Sequence, residues 1–255
     1  MITKKKVLWL VGIILLVGVA SFMYYYYMAK PSGFLSEREM LIELNRYSLN
    51  SNATEIIEKV QIDDEHMFVP FKASDNSYGT SLWMWTQHEW KLVADSTSGG
   101  PEIWKIDSND PSSYVLFWNI HPDDQISHGD FYAIRDRNYH ITEGEHTYYP
   151  RIQMQTTISF EKTPYGIMKL PKEWSTVMEE SAKLQQAIQP DGFSPNFFPV
   201  NQDVYFGWIP YNQSNEEVRA GKTHVGGGSS SVDLAYVRTL NKVDELEFIN
   251  VEDDR

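Results

Sequence analysis

The residues best equipped for chemistry gather in one stretch. His121-Pro122-Asp123-Asp124 is followed closely by His128 and Asp130. Neutral imidazole and carboxylate are ligands for Zn2+ and similar ions. Their spacing fits no metalloenzyme motif, because there is no His-Glu-x-x-His and no helical pairing of histidines. The competing reading is a solvated turn whose aspartates accept backbone hydrogen bonds. The spacing favours that turn, so His121, Asp123, Asp124, His128 and Asp130 are weak candidates for a ligand or metal site, and no cofactor is expected.

Other polar stretches fall short in similar ways. Asp107-Ser108-Asn109-Asp110 begins like a calcium loop, but Pro111 and Ser112 stand where an Asp or Asn and then a Gly are needed. A hairpin turn is expected there. Ala220-Gly221-Lys222-Thr223 ends like a phosphate-binding loop, yet the first glycine of that pattern would be residue 216, which is Glu216. What remains is a possible backbone nest for an anion beside Lys222. Glu143 and Glu145 flank Gly144, near His140 and His146. Two carboxylates can divide acid and base duties in glycan hydrolysis, but acids around a glycine also describe a solvated hairpin tip. There is no Gly-x-Ser-x-Gly, and a chain with 0 cysteines has no thiolate nucleophile. Trp83 and Trp85 would share one face of a strand, close to Trp90, Trp104 and Trp118. Such a row stacks on sugars or peptides, or fills a core with indole area, and the core reading is favoured.

These residues have to be positioned by elements, and the first element is unlike the rest. Residues 7–29 carry no charge and are apolar or aromatic except for Gly12, Gly18 and Ser21. As a helix they would rise about 34 Å, enough to cross a hydrocarbon core of roughly 30 Å. Lys4, Lys5 and Lys6 precede the run and Tyr24 to Tyr27 close it. Lysines stay on the cytoplasmic side and tyrosines favour the opposite interface, so the expected topology is N-terminus in and bulk out. A cleaved secretory signal ending at Gly18-Val19-Ala20 is the alternative, though the apolar run continues past it. Either way residues 31–255 lie outside the cytoplasm, tethered to membrane lipid through residues 7–29 or secreted.

The whole chain of 255 residues has a net charge of −13. Residues 1–30 hold four lysines and no acid, leaving 18 basic against 35 acidic residues outside, a net of −17. Such a body repels nucleic acid. An exported protein without cysteine fits a bacterial envelope better than a disulfide-stapled ectodomain.

Pro31-Ser32-Gly33 should break the first helix, and Ser36 with Glu39 forms a capping-box pattern for a second. Asn52 with Glu55 suggests one more helical start. From residue 66 the texture turns to strands, expected at 67–72, 80–86, 90–95, 102–107, 114–120, 131–135 and 151–161, with late ones at 204–209, 232–240 and 246–251. The 114–120 run has no alternation and should be covered on both faces. The 151–161 run alternates cleanly and should have one wet face. Pro171 opens a helix over about 172–189 with an apolar stripe through Trp174, Val177, Met178, Ser181, Leu184 and Ile188. Gly226 to Ser231 is expected to be a mobile loop.

The expected fold class is therefore α+β and β-rich, an N-terminal transmembrane helix followed by a mainly antiparallel β ectodomain with flanking helices. The expected organisation is a cytoplasmic tail at 1–6, a transmembrane helix at 7–29, a helical stalk or packed helices at 30–65, and an extracytoplasmic domain at 66–255. The expected role is non-catalytic recognition of an envelope protein or wall glycan. The alternative is an envelope hydrolase, metal-dependent or not, using the 121–130 loop.

Overall fold

The helix after Pro31 starts where its capping residues place it. In the computed structural model, the Ser36 N–H donates to Glu39 Oε2 at 2.8 Å and the Glu39 N–H returns to Ser36 Oγ at 3.4 Å. That reciprocal pair satisfies two backbone donors at the helix start. The structure describes residues 4–28, 31, 33–47, 51–142, 145–188, 204–241 and 245–247.

The described elements run in this order: α1 (Lys4–Met28), α2 (Glu37–Tyr47), β1 (Ala53–Ile56), β2 (Val60–Gln61), β3 (His66–Ala73), β4 (Tyr78–Thr86), β5 (Glu89–Ser96), β6 (Glu102–Trp104), β7 (Val115–Asn119), β8 (His128–Arg135), β9 (Asn138–Thr142), β10 (Glu145–Tyr149), β11 (Ile152–Ser159), β12 (Tyr165–Lys169), α3 (Lys172–Ile188), β13 (Tyr205–Tyr211), β14 (Gly228–Ser230) and β15 (Leu234–Thr239). One sheet has the order β1-β3-β4-β5-β14, with β2 also on β3. The second has the order β11-β8-β13-β15-β6-β7-β12, and β9 and β10 form a separate hairpin. The neighbours are antiparallel except β13 and β15, which run parallel. Of the late strands, β13 and β15 lie in the middle of the second sheet and β14 at the edge of the first.

The two sheets pack on each other. Phe68, Leu82, Val93 and Ala94 of the first meet Trp104 and Phe117 of the second, with the Phe68 and Phe117 rings 5.6 Å apart. The opposite face of the second sheet gathers Ile103, Leu116, Phe131, Phe206, Trp208 and Val237. This is why every residue of β7 is buried. Odd and even side chains enter different cores.

The second sheet is curled. Phe160, just after edge strand β11, touches Trp118 of β7 with ring centroids 5.7 Å apart. Those strands lie five spacings apart in the sheet order, about 24 Å if it were flat. The contact requires the sheet to bend around a shared core. Trp174 of α3 packs into that core, stacked 6.1 Å from Phe206. Edge strand β11 alternates between half-buried and exposed positions along its second half, as its sequence pattern predicts.

Several expectations need correction. The helix suggested at Asn52 and Glu55 is strand β1, paired with β3. Asn52 sits at φ 38°, outside the extended geometry of a helix N-cap, and Asn45 brackets Ala53 by accepting its N–H at 2.7 Å and donating to its carbonyl at 2.9 Å. Within residues 30–65, α2 packs on the first sheet, burying Met40 and Leu44 against Phe71 and Trp83. The glycine-serine run is not a loop throughout, because Gly228–Ser230 pairs with β5 as β14. A Cβ on Gly228 would lie 2.0 Å from the Asp95 carbonyl oxygen, so glycine lets the two backbones approach. Finally, β12 was not expected, and Leu246 and Glu247 are not in a strand. Residues 248–251, the segment 190–199, and the side chains of Leu184 and Ile188 lie outside the described residues.

Helix α1 runs for 25 residues, about 37 Å. Its described apolar side chains, Trp9 to Tyr24, cover about 24 Å of that. Among the described residues, no helix is long and apolar enough to cross a membrane. The described side chains face outward all round, with Trp9 75 %, Leu16 71 % and Phe22 67 % exposed.

Candidate functional site

The 121–124 stretch is a lock between loops. It forms a short 3-10 turn, Pro122–Asp124, capped by His121. His121 Nδ1 accepts the Asp123 N–H at 3.1 Å, so this nitrogen carries no proton and Nε2 donates to the Asn76 carbonyl at 3.1 Å. Both ring nitrogens are thus engaged within the chain. Its edge rests on Tyr78 at 4.8 Å. Asp124 Oδ2 accepts from the Thr223 N–H at 2.7 Å and its hydroxyl at 2.6 Å, while Oδ1 accepts the Lys222 N–H at 3.0 Å. The nest that the sequence offers to an anion is thus filled by a carboxylate of the chain itself. Asp123 pairs with the Lys222 ammonium, whose hydrogen bond and charge hold its carboxyl below the usual range.

His128 and Asp130 stand apart from this lock. His128 lies 2.9 Å from Ser127 Oγ and stacks on Tyr211, and Asp130 accepts the Thr157 hydroxyl at 2.5 Å. No group of three His, Cys, Asp or Glu suited to a metal occurs among the described residues. The Asp107–Asp110 stretch is the expected turn, with Asp107 accepting from Asn109 and Asp110 from Ser112. The hairpin expected around residue 144 is β9 and β10; Glu143 and the side chain of Glu145 lie outside the described residues.

The tryptophans are mostly core. Trp83 has no exposed surface and donates Nε1–H to Ser81 Oγ at 3.0 Å. Trp85 is half-buried against Trp90 at 5.7 Å. Trp85 and the Tyr78 that supports His121 are near opposite ends of β4, about 23 Å apart along a strand. The structure does not bring Trp83, Trp85 and the 121–130 loop into one concave site.

A different concavity is present. A groove of about 480 Å3 lies between α3 and the turn that follows β6. Tyr114, Met178, Val204, Phe206 and Ala235 supply its apolar lining, Ser108 and Ser181 hydroxyls, Asn109 an amide, Lys105 and Lys183 two cations, and Glu179 a carboxylate. Lys105 is 3.5 Å from Asp233 and Lys183 2.8 Å from Glu180. The Tyr114 hydroxyl donates to the Ser108 carbonyl at 3.0 Å, and burial followed by the charges of Asp233, Asp107 and Asp110 pushes its pKa up, so it stays neutral. Apolar walls with a few convergent polar groups are the usual form of a ligand site.

Arg135 stands behind this groove. It is 7 % exposed, its Nη1 donates to Ser181 Oγ at 2.9 Å, and its Nε has no partner. Among the described residues it makes no ion pair. It ends β8, where it pairs with Ile152 of β11, one residue past the Ile134 and Tyr205 pair of β8 and β13. A buried cation without a counter-charge costs several kcal/mol (order of magnitude). Three other arginines cluster nearby in sequence or sheet but are compensated. Arg137 pairs with Glu247, Arg151 with Asp136, and Arg238 with Glu245 at 2.5 Å, around a buried Leu246. Sequence reasoning missed Arg135, although strand alternation puts it on the same face as buried Phe131 and Ala133.

Fold and groove together define a two-sheet α+β protein with a helix-bordered, partly apolar cleft. Compared with family models, curated proteins and solved structures, the chain matches none.

Proposed function

We propose that this is a membrane-tethered extracytoplasmic recognition protein whose ligand enters the α3 groove. The observation that carries the reading is the surface of α1. A helix apolar on every side belongs inside protein or lipid, and the described part of α1 is exposed on every side. Lipid is the cover this reading supplies, with Lys4 and Lys5 at the cytoplasmic end and the tyrosines at the outer interface. The acidic body then faces an envelope protein or wall glycan and excludes nucleic acid. Recognition is favoured over hydrolysis because His121, Asp124 and Asp130 are engaged in holding loops and neighbouring strands. The test is flotation with liposomes. The full chain should float with the lipid, and a chain lacking residues 1–30 should stay behind while keeping its β-sheet circular dichroism. Equal behaviour of the two would overturn the tether.

A further inference from the structure

We propose that Arg135 is the anion-binding residue of the α3 groove, and that the ligand is a carboxylate carried on an apolar body. The proposal rests on the groove being the ligand site. Arg135 is almost fully buried, and its guanidinium reaches the same Ser181 hydroxyl that lines the groove. Val204, the residue before the Tyr205 that pairs with Ile134, lines the groove as well. Ser181 occupies Nη1, and Nε is buried without a partner, so the guanidinium keeps donor capacity unused directly behind the groove wall. The side edge of a guanidinium carries Nε and Nη2 as two parallel donors, the fork that matches a planar carboxylate. The lining from Tyr114, Met178, Phe206 and Ala235 suits an apolar body rather than a bare ion. The other cations at the groove already have carboxylates: Lys105 has Asp233 and Lys183 has Glu180. In a chain of net charge −13, an anion is repelled almost everywhere. An uncompensated buried guanidinium is the local exception.

The experiment uses the full chain in lipid nanodiscs and two probes followed by 19F NMR, with empty nanodiscs subtracted. One probe is 4-(4-fluorophenyl)butanoate and the other its primary amide, matched in shape but uncharged. The carboxylate is expected to bind at least about tenfold more tightly than the amide, a difference of about 1.4 kcal/mol. Arg135→Gln should bring the carboxylate down to the level of the amide and leave the amide unchanged. Arg135→Lys, which keeps the charge and loses the fork, should fall between. Met178→Trp, which fills the groove, should abolish both. The comparison of the two probes is made on the unmodified chain, so it stands even where a variant does not fold. Equal binding of the two probes would overturn the role of Arg135 while leaving the groove as a site. Binding of neither would overturn both. A carboxylate preference that survives Arg135→Gln would also overturn the assignment.

Discussion

Asp124 shows how a polar cluster can look functional and be structural. Its carboxylate takes three donors from residues 222 and 223, and Thr223 in turn accepts the His121 N–H at 3.0 Å. Asp124→Ala leaves those donors unmatched, Thr223 among them fully buried. The expected loss is about 1.5–3 kcal/mol in urea denaturation, the range for hydrogen bonds to a charged group. Loss of stoichiometric zinc from this variant, with no change in stability, would show that the cluster is a metal site instead. Glu102 on β6 provides a pH test. Burial raises its pKa, and the described structure gives it no compensating ion pair. The folded state therefore holds that proton to higher pH than the unfolded state, and stability falls as pH rises from the ordinary glutamate range through the raised value. Glu102→Gln should raise the thermal midpoint at pH 7, and the gain should disappear below about pH 4, where both states are protonated. A gain that persists in acid would contradict this.

Among the elements, those with a local signal could be read from the residues. The Ser36 and Glu39 box, the alternation of β11, the unbroken apolar run of β7 and the stripe of α3 all lie within a few residues of their cause. Other elements depend on distant partners. β1 is a strand because Asn45 and β3 engage its backbone, and β14 is a strand because Gly228 can lie against β5. No local period encodes either pairing. The curl of the second sheet is likewise set by contacts such as Phe160 on Trp118, so the groove that depends on it was not legible. Arg135 was legible in part, through alternation, but its lack of a counter-charge is a three-dimensional fact. The packed state of α2 is open to a direct check. Leu44 is fully buried and Ile42 is 54 % exposed on the same helix. Leu44→Ala should cost about 2–5 kcal/mol, while Ile42→Ala should stay within about 0.5 kcal/mol. Equal costs would mean that α2 does not pack on the first sheet.

At the scale of the whole molecule, two regions follow opposite solvent rules. Among the described residues from 33 onward, the buried apolar side chains gather in four clusters, with a few large ones such as Ile42, Ile141 and Val225 left exposed. Helix α1 does the reverse along its described length. This contrast supports the tether, and the tether fixes which compartment the groove would face. The chain has 0 cysteines, so any introduced thiol is unique. The most direct test places one thiol at Gln213→Cys, an exposed position on the body, and another at Thr3→Cys, then treats intact cells with a membrane-impermeant maleimide. The account predicts labelling of the 213 thiol in intact cells and of the residue 3 thiol after permeabilisation alone. Labelling of the 213 thiol only after permeabilisation would contradict it.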